Sequence, residues 1–344
     1  MQRLSDQLLS NMGSTAAVVG GPFFEDLRIG QTFESAPALT LTEGLAAVHA
    51  SILGERLRLA LDRELSARIS GAPLAPPALV WNVAIGQSTL VTQRVIANLF
   101  YRGFMFRRFP RIGDTLRTTT EVTALRQNRS RPGRQATGLA VLRMRTTDQS
   151  GQLVLDFWRC AMVPLRDSAA QTPHTAELAE ITANPTPDEL RSPLRSWRLD
   201  LFRAENQGQH FSDLAPPATW EVAGGDVVSS APELARLTLN IAMVHHDRST
   251  SDAGRLVYGG HTIGLAAAQA ARALPNLVTI VAWHSCDHTA PVREGDTLRS
   301  TLELESTSPF ADGGGLVHLR SRVSADRDGG VQNVLDWRFV GVMA

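Results

Sequence analysis

Side chains able to do acid–base chemistry gather in the second half of the sequence, where His245 follows Asn240 by five positions. An imidazole with an ordinary pKa of about 6.5 can act as both acid and base near neutral pH. We therefore take His245 as the candidate catalytic residue and Asn240 as a neutral side chain that positions water or polarises the imidazole. Two alternatives stay open. His246 is adjacent to His245, and a histidine at the edge of a helix can be held there by local hydrogen bonds alone.

The run Tyr258-Gly259-Gly260-His261 could hold negative charge on a ligand. It precedes a stretch of small and apolar residues that predicts a buried helix, and the free N–H groups and the helix dipole both point out of a helix start. Glycines also allow the backbone to approach a ligand closely. Gly260 is thus the candidate donor to a carbonyl oxygen, with Tyr258, Gly259, His261 and His288 as candidate substrate-binding residues. The alternative is a glycine pair that only forms a tight turn before the helix.

A metal site is not expected, although His284, Cys286, Asp287 and His288 are all possible ligands. The surrounding residues predict a strand, in which residues four apart lie about 13 Å from each other. Zinc needs its nitrogen ligands about 2.0–2.1 Å from one ion. The pattern instead indicates an alternating strand with His284, Cys286 and His288 on one face, and we expect neither a metal nor a cofactor.

Composition restricts the class of protein. The 344 residues have no formal net charge, 43% are hydrophobic and 20% are charged, which is typical of a globular protein and argues against nucleic acid as a partner. The sequence contains no lysine, so an anionic ligand must be held by arginines or backbone amides. Two cysteines, Cys160 and Cys286, do not make a disulfide framework. With no secretion signal and no apolar run long enough to span a bilayer, we expect a cytoplasmic protein without a membrane partner.

An internal repeat predicts two copies of one domain. Three motifs recur in the same order at shifts of 180 to 187 positions: Arg111 to Val122 with Arg293 to Leu304, Val154 to Trp158 with Val334 to Trp337, and Phe24 to Leu27 with Phe211 to Leu214. The segment between the copies is rich in proline and poor in large apolar residues, as linkers are. The predicted units are a flexible tail (1–20), an N-terminal repeat (21–165), a linker (166–196) and a C-terminal repeat with the catalytic motif (197–344).

Each copy has the same predicted order of elements. An opening strand, Gln31 to Leu41, leads into a helical region, and a second helix without a polar face follows, as expected for a buried one. The helical regions are Thr42 to Ser70 and Ala231 to Asp247, and the second helices are Asn82 to Asn98 and His261 to Leu274. Three strands with intervening turns then predict an antiparallel meander. Those strands are Asp114–Gln127, Gln135–Thr147 and Gln152–Leu165, then Asp296–Ser306, Gly315–Ala325 and Val331–Met343. A buried helix covered by a meander is an α+β layer.

Several motifs resemble one enzyme family. They are GPFFEDLRIGQT from Gly21 to Thr32, TEG at Thr42–Gly44, IANL at Ile96–Leu99, LRQN at Leu125–Asn128, Asn240-x-Ala242-x-x-His245, LVYGGH from Leu256 to His261, and HT-x-P at His288–Pro291. This set is similar to the MaoC-like, hydratase-2 group, in the branch of mesaconyl-CoA hydratases or methylmalyl-CoA dehydratases. The resemblance spans most of the chain and implies a tandem (double) hotdog fold, in which an antiparallel sheet wraps around a central helix in each repeat.

The resemblance implies a hydro-lyase that acts on an acyl-CoA thioester, a short and branched dicarboxylic enoyl-CoA in that branch. Hydration needs a base for water, an acid for C2 and donors to the thioester oxygen. His245 and Gly260 match the family's catalytic histidine and oxyanion-hole glycine, and Asn240 stands where the wider family has Asp. The second proton-transfer group stays open among Asp247, Asp287, His288 and a carboxylate of the first copy.

Leu45 and His49 depart from the branch, which places Asp and Tyr there, so the acyl group stays open. We also expect one active site per chain, because only the second copy has the His and Gly-Gly-His set. Two other functions remain alternatives: a hotdog acyl-CoA thioesterase, and a non-catalytic module that binds acyl-CoA or acyl-carrier protein. We expect a homodimer.

Each of two arginine clusters has two possible interpretations. The run from Arg126 to Arg134 could grip the phosphates of CoA, although a solvated hairpin loop is the favoured explanation. Arg102, Arg107 and Arg108 alternate with phenylalanines, which indicates either a pantetheine or adenine contact or packing between the two copies.

Overall fold

The computed structural model describes residues 19–178, 185–250, 254–327 and 330–344. Its first half contains four helices: α1 (Glu43–Leu53), α2 (Arg58–Leu61), α3 (Arg63–Ser70) and α4 (Pro77–Gln87). Six strands accompany them: β1 (Thr32–Phe33), β2 (Leu39–Thr40), β3 (Ala97–Phe106), β4 (Thr115–Gln127), β5 (Thr137–Thr147) and β6 (Leu153–Pro164).

The second half also has six strands and four helices among the described residues, but two of its helices precede its first strand. Its helices are α5 (Pro187–Arg191), α6 (Leu199–Glu205), α7 (Ala231–Leu237) and α8 (Gly259–Ala273). Its strands are β7 (Ala218–Glu221), β8 (Asp226–Val227), β9 (Leu277–His288), β10 (Thr297–Pro309), β11 (Gly315–Arg327) and β12 (Gly330–Met343).

Within the described residues, all twelve strands form one antiparallel sheet. The strand order is β1-β4-β5-β6-β3-β9-β12-β11-β10-β7, with β2 beside β4 and β8 beside β10. The order is symmetric about the pair β3 and β9, which join the two halves in antiparallel register from Phe100 opposite Asp287 to Met105 opposite Ala282. This sheet confirms the predicted α+β class and the tandem hotdog architecture.

The central helices α4 and α8 occupy equivalent places under the two halves of the sheet. All eleven residues of α4 are buried, because a helix without a polar face is stable only inside a core. Gln87 of α4 donates from Nε2 to the carbonyl of Leu116 at 2.9 Å, and Gln269 of α8 donates in the same way to Leu298 at 2.9 Å. Both pairs are separated by the repeat offset, 269 − 87 = 298 − 116 = 182, so α4 and α8 correspond residue by residue.

Aromatic side chains fill the junction between the halves. Phe104 of β3 stacks on Trp283 of β9 with ring centroids 4.1 Å apart, and Trp81 of α4 meets Trp283 edge-on at 5.1 Å. All three are fully buried. Replacing a large aromatic residue in such a core with alanine typically costs about 3–5 kcal/mol. The junction is therefore a continuous core, and Phe104 and Phe106 of β3 belong to it, as the packing explanation of this segment predicts.

Four predicted elements differ from the structure. The opening strand expected over Gln31 to Leu41 is divided into two short strands, Thr32–Phe33 and Leu39–Thr40. The helix expected over Thr42 to Ser70 is divided into three, because Gly54 takes a left-handed conformation with φ of 67° and ends the first of them. The helix expected over Asn82 to Asn98 begins earlier, at Pro77, and the long strand β3 starts at Ala97. A run of apolar residues does not by itself separate a buried helix from a buried strand.

The helix expected over Ala231 to Asp247 ends at Leu237. Leu239 adopts a φ of 60°, a left-handed conformation that breaks the helix. The two candidate residues Asn240 and His245 therefore lie in a loop, and a 3-10 turn over Met243–His245 ends with His245.

The segment predicted as a linker (166–196) makes specific contacts. Gln127 donates its backbone amide to the carbonyl of His174, and Leu190 and Leu194 are buried. Residues 1–18 of the predicted tail (1–20) and residues 179–184 of the linker lie outside the described residues. The bounds of the two repeats and the homodimer stay predictions.

Candidate active site

A cavity of about 820 Å³ lies where the two halves meet. The first half contributes the end of α4, the segment that follows it, part of β3, and Arg159 and Pro164 of β6. The second half contributes the loop from Asn240 to Tyr258, the start of α8 and the end of β9. Polar residues of the lining include Thr89, Asn98, Tyr101, Arg159, Asn240, His245, Tyr258 and His288. No acidic side chain of the described chain lines this cavity.

The loop after α7 is held in place by short-range hydrogen bonds. Asn240 is buried, its amide donates to the carbonyl of Ala235 at 2.9 Å, and its Oδ1 accepts from the amide of Ala242 at 3.0 Å. Met243 donates its amide to the carbonyl of Gln93 at 2.8 Å, which fastens the loop to the first half. The Asn240 side chain therefore has a fixed position beside the cavity.

His245 is held in the tautomer that suits a base. Its Nδ1 lies 2.8 Å from the carbonyl oxygen of Leu256, which can only accept, so Nδ1 donates and Nε2 is left with a lone pair. Burial is the main reason that the pKa of His245 falls to about 4; the nearby His246 and Arg159 act in the same direction, and the hydrogen bond to Leu256 opposes them. The imidazole is therefore neutral at pH 7 and able to accept a proton.

His246 has a different position. Its Nε2 donates to the carbonyl of Asn240 at 2.6 Å, and the residue lines a separate cavity of about 420 Å³. The geometry thus favours His245 over its neighbour and gives His246 the task of supporting the Asn240 backbone.

The start of α8 lies beside His245. The ring of Tyr258 is 5.7 Å from the ring of His245, and its hydroxyl donates to the carbonyl of Asn82 at 3.1 Å. Tyr258 and Gly259 line the cavity, whereas Gly260 is not part of the lining. Among the described residues, no group accepts a hydrogen bond from the amides of Gly259 or Gly260, as expected for the first turn of a helix.

The two glycines are required by the packing of the protein itself. A Cβ atom on Gly260 would lie 2.0 Å from Oδ1 of Asn82, and a Cβ atom on Gly259 would lie 2.7 Å from Nε2 of His288. Real Cβ atoms essentially never approach other atoms so closely. Close approach of the two central helices, and of β9 to α8, is thus a sufficient reason for both glycines.

His261 lies in the core away from the cavity. It is fully buried and is not part of the lining. Burial lowers its pKa to about 4, and burial together with His261 lowers the pKa of His49 to about 3. His49 meets Nδ2 of Asn82 at 3.0 Å and accepts from it. The structure thus places His261 with His49 and Asn82 as a neutral polar cluster between the helices, and not against a ligand in this cavity.

Of the candidate second proton-transfer groups, the cavity contains His288. Its ring is buried, no described residue bonds its Nε2, and burial lowers its pKa to about 4. Asp247 accepts from Ser249 on the surface, and Asp287 pairs with Arg102 at 2.6 Å. Neither aspartate lines the cavity.

One prediction about strand β9 is wrong. Cys286 and His288 lie in the interior near Tyr101, whose ring is 5.9 Å from that of His288. His284 instead stacks on His318, with Nε2 and Nδ1 3.1 Å apart. A register shift between β9 and β12 at this point interrupts the alternation, because a bulge moves the following side chains to the other face.

Within the described ranges, no three side chains of His, Cys, Asp or Glu gather as a metal site requires. No helix of the described residues is both long and apolar enough to cross a membrane.

The first half does not repeat the helix start. The offset of 182 places Pro77 and Ala78 where α8 has Gly259 and Gly260. Proline has no backbone N–H, so the start of α4 has one donor fewer than the start of α8. All residues of α4 are buried, and Ile85, near its end, lines the cavity. The first copy thus supplies walls to the cavity and lacks the helix start that the second copy has.

The arginine clusters have ordinary surroundings. Arg102 and Arg107 form ion pairs with Asp287 and Glu189, and Arg108 pairs with Asp148 and Asp114. The run from Arg126 to Arg134 spans the turn between β4 and β5, and none of its residues lines the cavity.

Arg159 and Tyr101 were not predicted from the sequence; both lie in β-strands of the first half and line the cavity. A signal existed for the first. Arg159 lies in a strand that is buried along most of its length, directly before the apolar residues Cys160 to Val163. A charged side chain in a buried strand is usually paired with another group, so its presence indicates a partner or a ligand. Tyr101 offered no signal, because an aromatic residue in a strand is most often core.

Comparisons with known proteins identify relatives of this chain. No protein-family model matches the chain. The β-methylmalyl-CoA dehydratase of Chloroflexus aurantiacus is 30% identical over 319 residues, which cover 90% of this chain and 89% of the relative. The mesaconyl-CoA hydratase of Cereibacter sphaeroides is 32% identical over 311 residues, which cover 87% and 88%.

Solved structures agree on the architecture. A Mycobacterium tuberculosis protein described as a double hotdog fold superposes with a TM-score of 0.89 and 53% identity, over 95% of this chain and all of that one. A MaoC domain protein dehydratase of Chloroflexus aurantiacus superposes with a TM-score of 0.83 and 27% identity, over 96% and 99%. The chain therefore belongs to the MaoC-like, double-hotdog family of hydro-lyases, together with β-methylmalyl-CoA dehydratase and mesaconyl-CoA hydratase.

Proposed function

We propose that this protein adds water to, or removes it from, the C2–C3 bond of a short enoyl-CoA in the cavity between its repeats. The observation that carries the proposal is the position of His245, whose ring is neutral and has a free Nε2 lone pair beside the start of α8. The names of the relatives make mesaconyl-CoA, a branched dicarboxylic enoyl thioester, the first substrate to test.

In the hydration direction, Nε2 of His245 accepts a proton from water while the water oxygen forms a bond to C3. Electrons of the double bond move toward the thioester oxygen, where the N–H group of Gly259, which lines the cavity, and the dipole of α8 stabilise negative charge. Gly260, the donor expected from the sequence, lies outside the lining and instead allows α8 to pack closely on α4. The proton that His245 took from water is then passed to C2 through His288, whose free Nε2 accepts it and gives it up, so that both imidazoles return to their neutral form. Asn240, held by the amide of Ala242, positions the water.

The departures at Leu45 and His49 do not weigh against this substrate class. Both residues belong to α1, and neither lines the cavity. The CoA moiety has two half-buried arginines of the lining available, Arg94 and Arg293, for which the structure gives no carboxylate partner among the described residues. Guanidinium groups suit phosphate oxygens.

A thioesterase is the alternative from another reaction class. A hotdog thioesterase needs a carboxylate nucleophile or base, and the described lining contains none. A non-catalytic binding module would not need a histidine whose tautomer is fixed. Hydration fits the polar groups of the cavity better than either.

The experiment separates the three. Purified protein is mixed with mesaconyl-CoA or crotonyl-CoA, and loss of the enoyl thioester absorbance is followed beside release of free thiol. Hydration predicts loss of absorbance without thiol release, and His245→Ala abolishes it. Thiol release in step with the loss of absorbance would establish a thioesterase, and binding without either change a non-catalytic module.

A further inference from the structure

Arg159 of β6 is a buried cation inside the candidate active site. Its side chain lines the cavity and the residue is 3% exposed. One terminal nitrogen, Nη2, donates to the hydroxyl of Thr92 at 2.6 Å and to the carbonyl of Ser88 at 3.2 Å. No described residue accepts from Nε or Nη1. Most of the donor capacity of this guanidinium is therefore unused by the protein.

No negative charge of the described chain compensates Arg159. It forms no ion pair with a described residue, and the nearby groups that could carry a negative charge are Tyr101, Tyr258 and Cys160. Burial raises the pKa of each of these three, so all are neutral at physiological pH. An arginine stays protonated in proteins. A buried charge without a partner is costly, and it persists where a ligand supplies the opposite charge.

The second repeat shows which type of residue the fold accepts at the position equivalent to Arg159. In the first half, Arg143 of β5 forms a two-pronged ion pair with Asp156 of β6. In the second half, Arg320 of β11 forms the same two-pronged pair with Asp336 of β12. The two pairs identify Asp156 and Asp336 as equivalent positions of β6 and β12.

Three residues beyond each aspartate, the two halves differ. The first half has Arg159 opposite Leu142, and the second half has Phe339 opposite Leu319. Phe339 is fully buried and stacks on Trp337 with ring centroids 4.0 Å apart. The fold thus accepts an apolar residue at this position of the strand, so the guanidinium of Arg159 is not a requirement of the architecture.

We propose that Arg159 binds a carboxylate carried by the acyl group, so that the site selects enoyl-CoA substrates whose acyl chain ends in a carboxylate. This inference rests on the proposed function. Arg159 lies in the same cavity as His245, near enough for its charge to act on that imidazole. In a four-carbon acid such as the fumaryl group, the free carboxylate is attached to C3, the atom that receives water. One guanidinium close to the base can therefore hold the substrate and orient C3.

The test compares two substrates that differ only in this group. Fumaryl-CoA carries a carboxylate on C3, and crotonyl-CoA carries a methyl group there. The variants are Arg159→Met, which keeps length without charge, and Arg159→Lys, which keeps charge without the planar fork. Arg145→Met, an exposed residue of the adjacent strand β5, is the matched control.

We expect the wild type to prefer fumaryl-CoA. Arg159→Met should lower kcat/KM for fumaryl-CoA by about 10- to 100-fold, the range for a lost hydrogen bond to a charged group, and leave crotonyl-CoA within about threefold. Arg159→Lys should recover part of the loss, and Arg145→Met should change neither substrate. A wild type that prefers crotonyl-CoA, or an Arg159→Met variant that loses both substrates equally, overturns the assignment. The second result would mean that Arg159 binds the CoA moiety or supports the fold.

A binding measurement separates this proposal from the hydratase proposal. Calorimetric titration with succinyl-CoA and butyryl-CoA, which have no double bond to hydrate, measures carboxylate recognition without turnover. Tighter binding of succinyl-CoA that Arg159→Met abolishes supports the carboxylate site even if no enoyl-CoA is hydrated. Equal affinity of the wild type for the two thioesters overturns it even if hydration is observed. Thermal unfolding of each variant identifies any that has failed to fold, and Arg159→Lys then replaces Arg159→Met in the comparison.

Discussion

The substitution His245→Ala removes the proposed base and leaves the other polar groups of the cavity in place. A positioned acid or base typically contributes about 100- to 10,000-fold to the rate, and kcat should fall by a factor in this range. The KM should change little, because the thioester is held by the start of α8 and the CoA moiety by other residues. The matched substitution His246→Ala removes one hydrogen bond, to the Asn240 carbonyl, and should reduce kcat by less than about tenfold.

The structure also predicts the pH at which protonation of His245 should abolish the activity. Burial lowers the pKa of His245 to about 4, so about one imidazole in a thousand is protonated at pH 7. A base works in its deprotonated form. Activity should therefore be constant from pH 7 down to about 5 and fall about tenfold per pH unit below pH 4. A histidine with the ordinary pKa of about 6.5 would instead lose activity already below neutral pH.

The assay is the initial rate of loss of enoyl thioester absorbance, measured at constant ionic strength across this pH range for the wild type and both variants. Short exposures to acid, followed by return to pH 7, identify irreversible loss of the fold. A greater loss of kcat in His246→Ala than in His245→Ala would refute the assignment. So would a wild-type acid limb that His245→Ala leaves unchanged in position and height.

Three further outcomes follow from the packing and burial of the described residues. Gly260→Ala should lower the free energy of unfolding by about 1–3 kcal/mol because its Cβ atom would collide with Asn82. The control is Gly44→Ala, also at the second position of a helix but with no atom within 4 Å of the new Cβ, and it should not lower the free energy of unfolding. Equal urea midpoints for the two variants would contradict this. The pKa values of His49 and His261 are about 3 and 4 in the folded protein, below the unfolded value of about 6.5. The unfolded state therefore binds more protons between these limits, and the free energy of unfolding, measured by urea titration, should fall as the pH drops from 6.5 to 4.5, with a slope that approaches roughly 1.4 kcal/mol per pH unit for each group. A flat profile would mean that these rings are solvated. Calorimetric titration with butyryl-CoA should give one site per chain, since the first repeat lacks the glycine helix start, and two sites would show that both repeats bind.

The local sequence pattern was sufficient to predict the type and approximate bounds of elements that depend mainly on residues close to them in the chain. The strand predicted over Gln135 to Thr147 is found at Thr137–Thr147, and the helix predicted over His261 to Leu274 is found at Gly259–Ala273. Turn residues and a regular period act over a few residues, so they are visible in the sequence. The same pattern failed at Ala97, where a strand begins inside a predicted helix, because a continuous apolar run suits either element once it is buried.

The sequence likewise predicted some residues of the candidate site and could not predict others. Residue types and spacing directed attention to Asn240 and His245 and to the glycines of α8, and the likeness to the hydratase-2 group supplied the reaction. The sequence could not separate His245 from His246. Their difference depends on the left-handed residue after α7 and on the 3-10 turn that directs the two rings to different cavities.

The sequence by itself determined that two related domains follow one another, which reaction class they serve and which repeat carries the histidine. Only the tertiary structure decided that His261 lies in the core, that His288 lies in the cavity, and that Arg159 of the first repeat faces the same space as His245 of the second. The physical reason is that a strand's neighbours across a sheet, and a helix's neighbours across a core, are chosen by packing of residues far apart in the chain. Burial and unpaired charge at a site arise from that packing, and no spacing along the sequence records them.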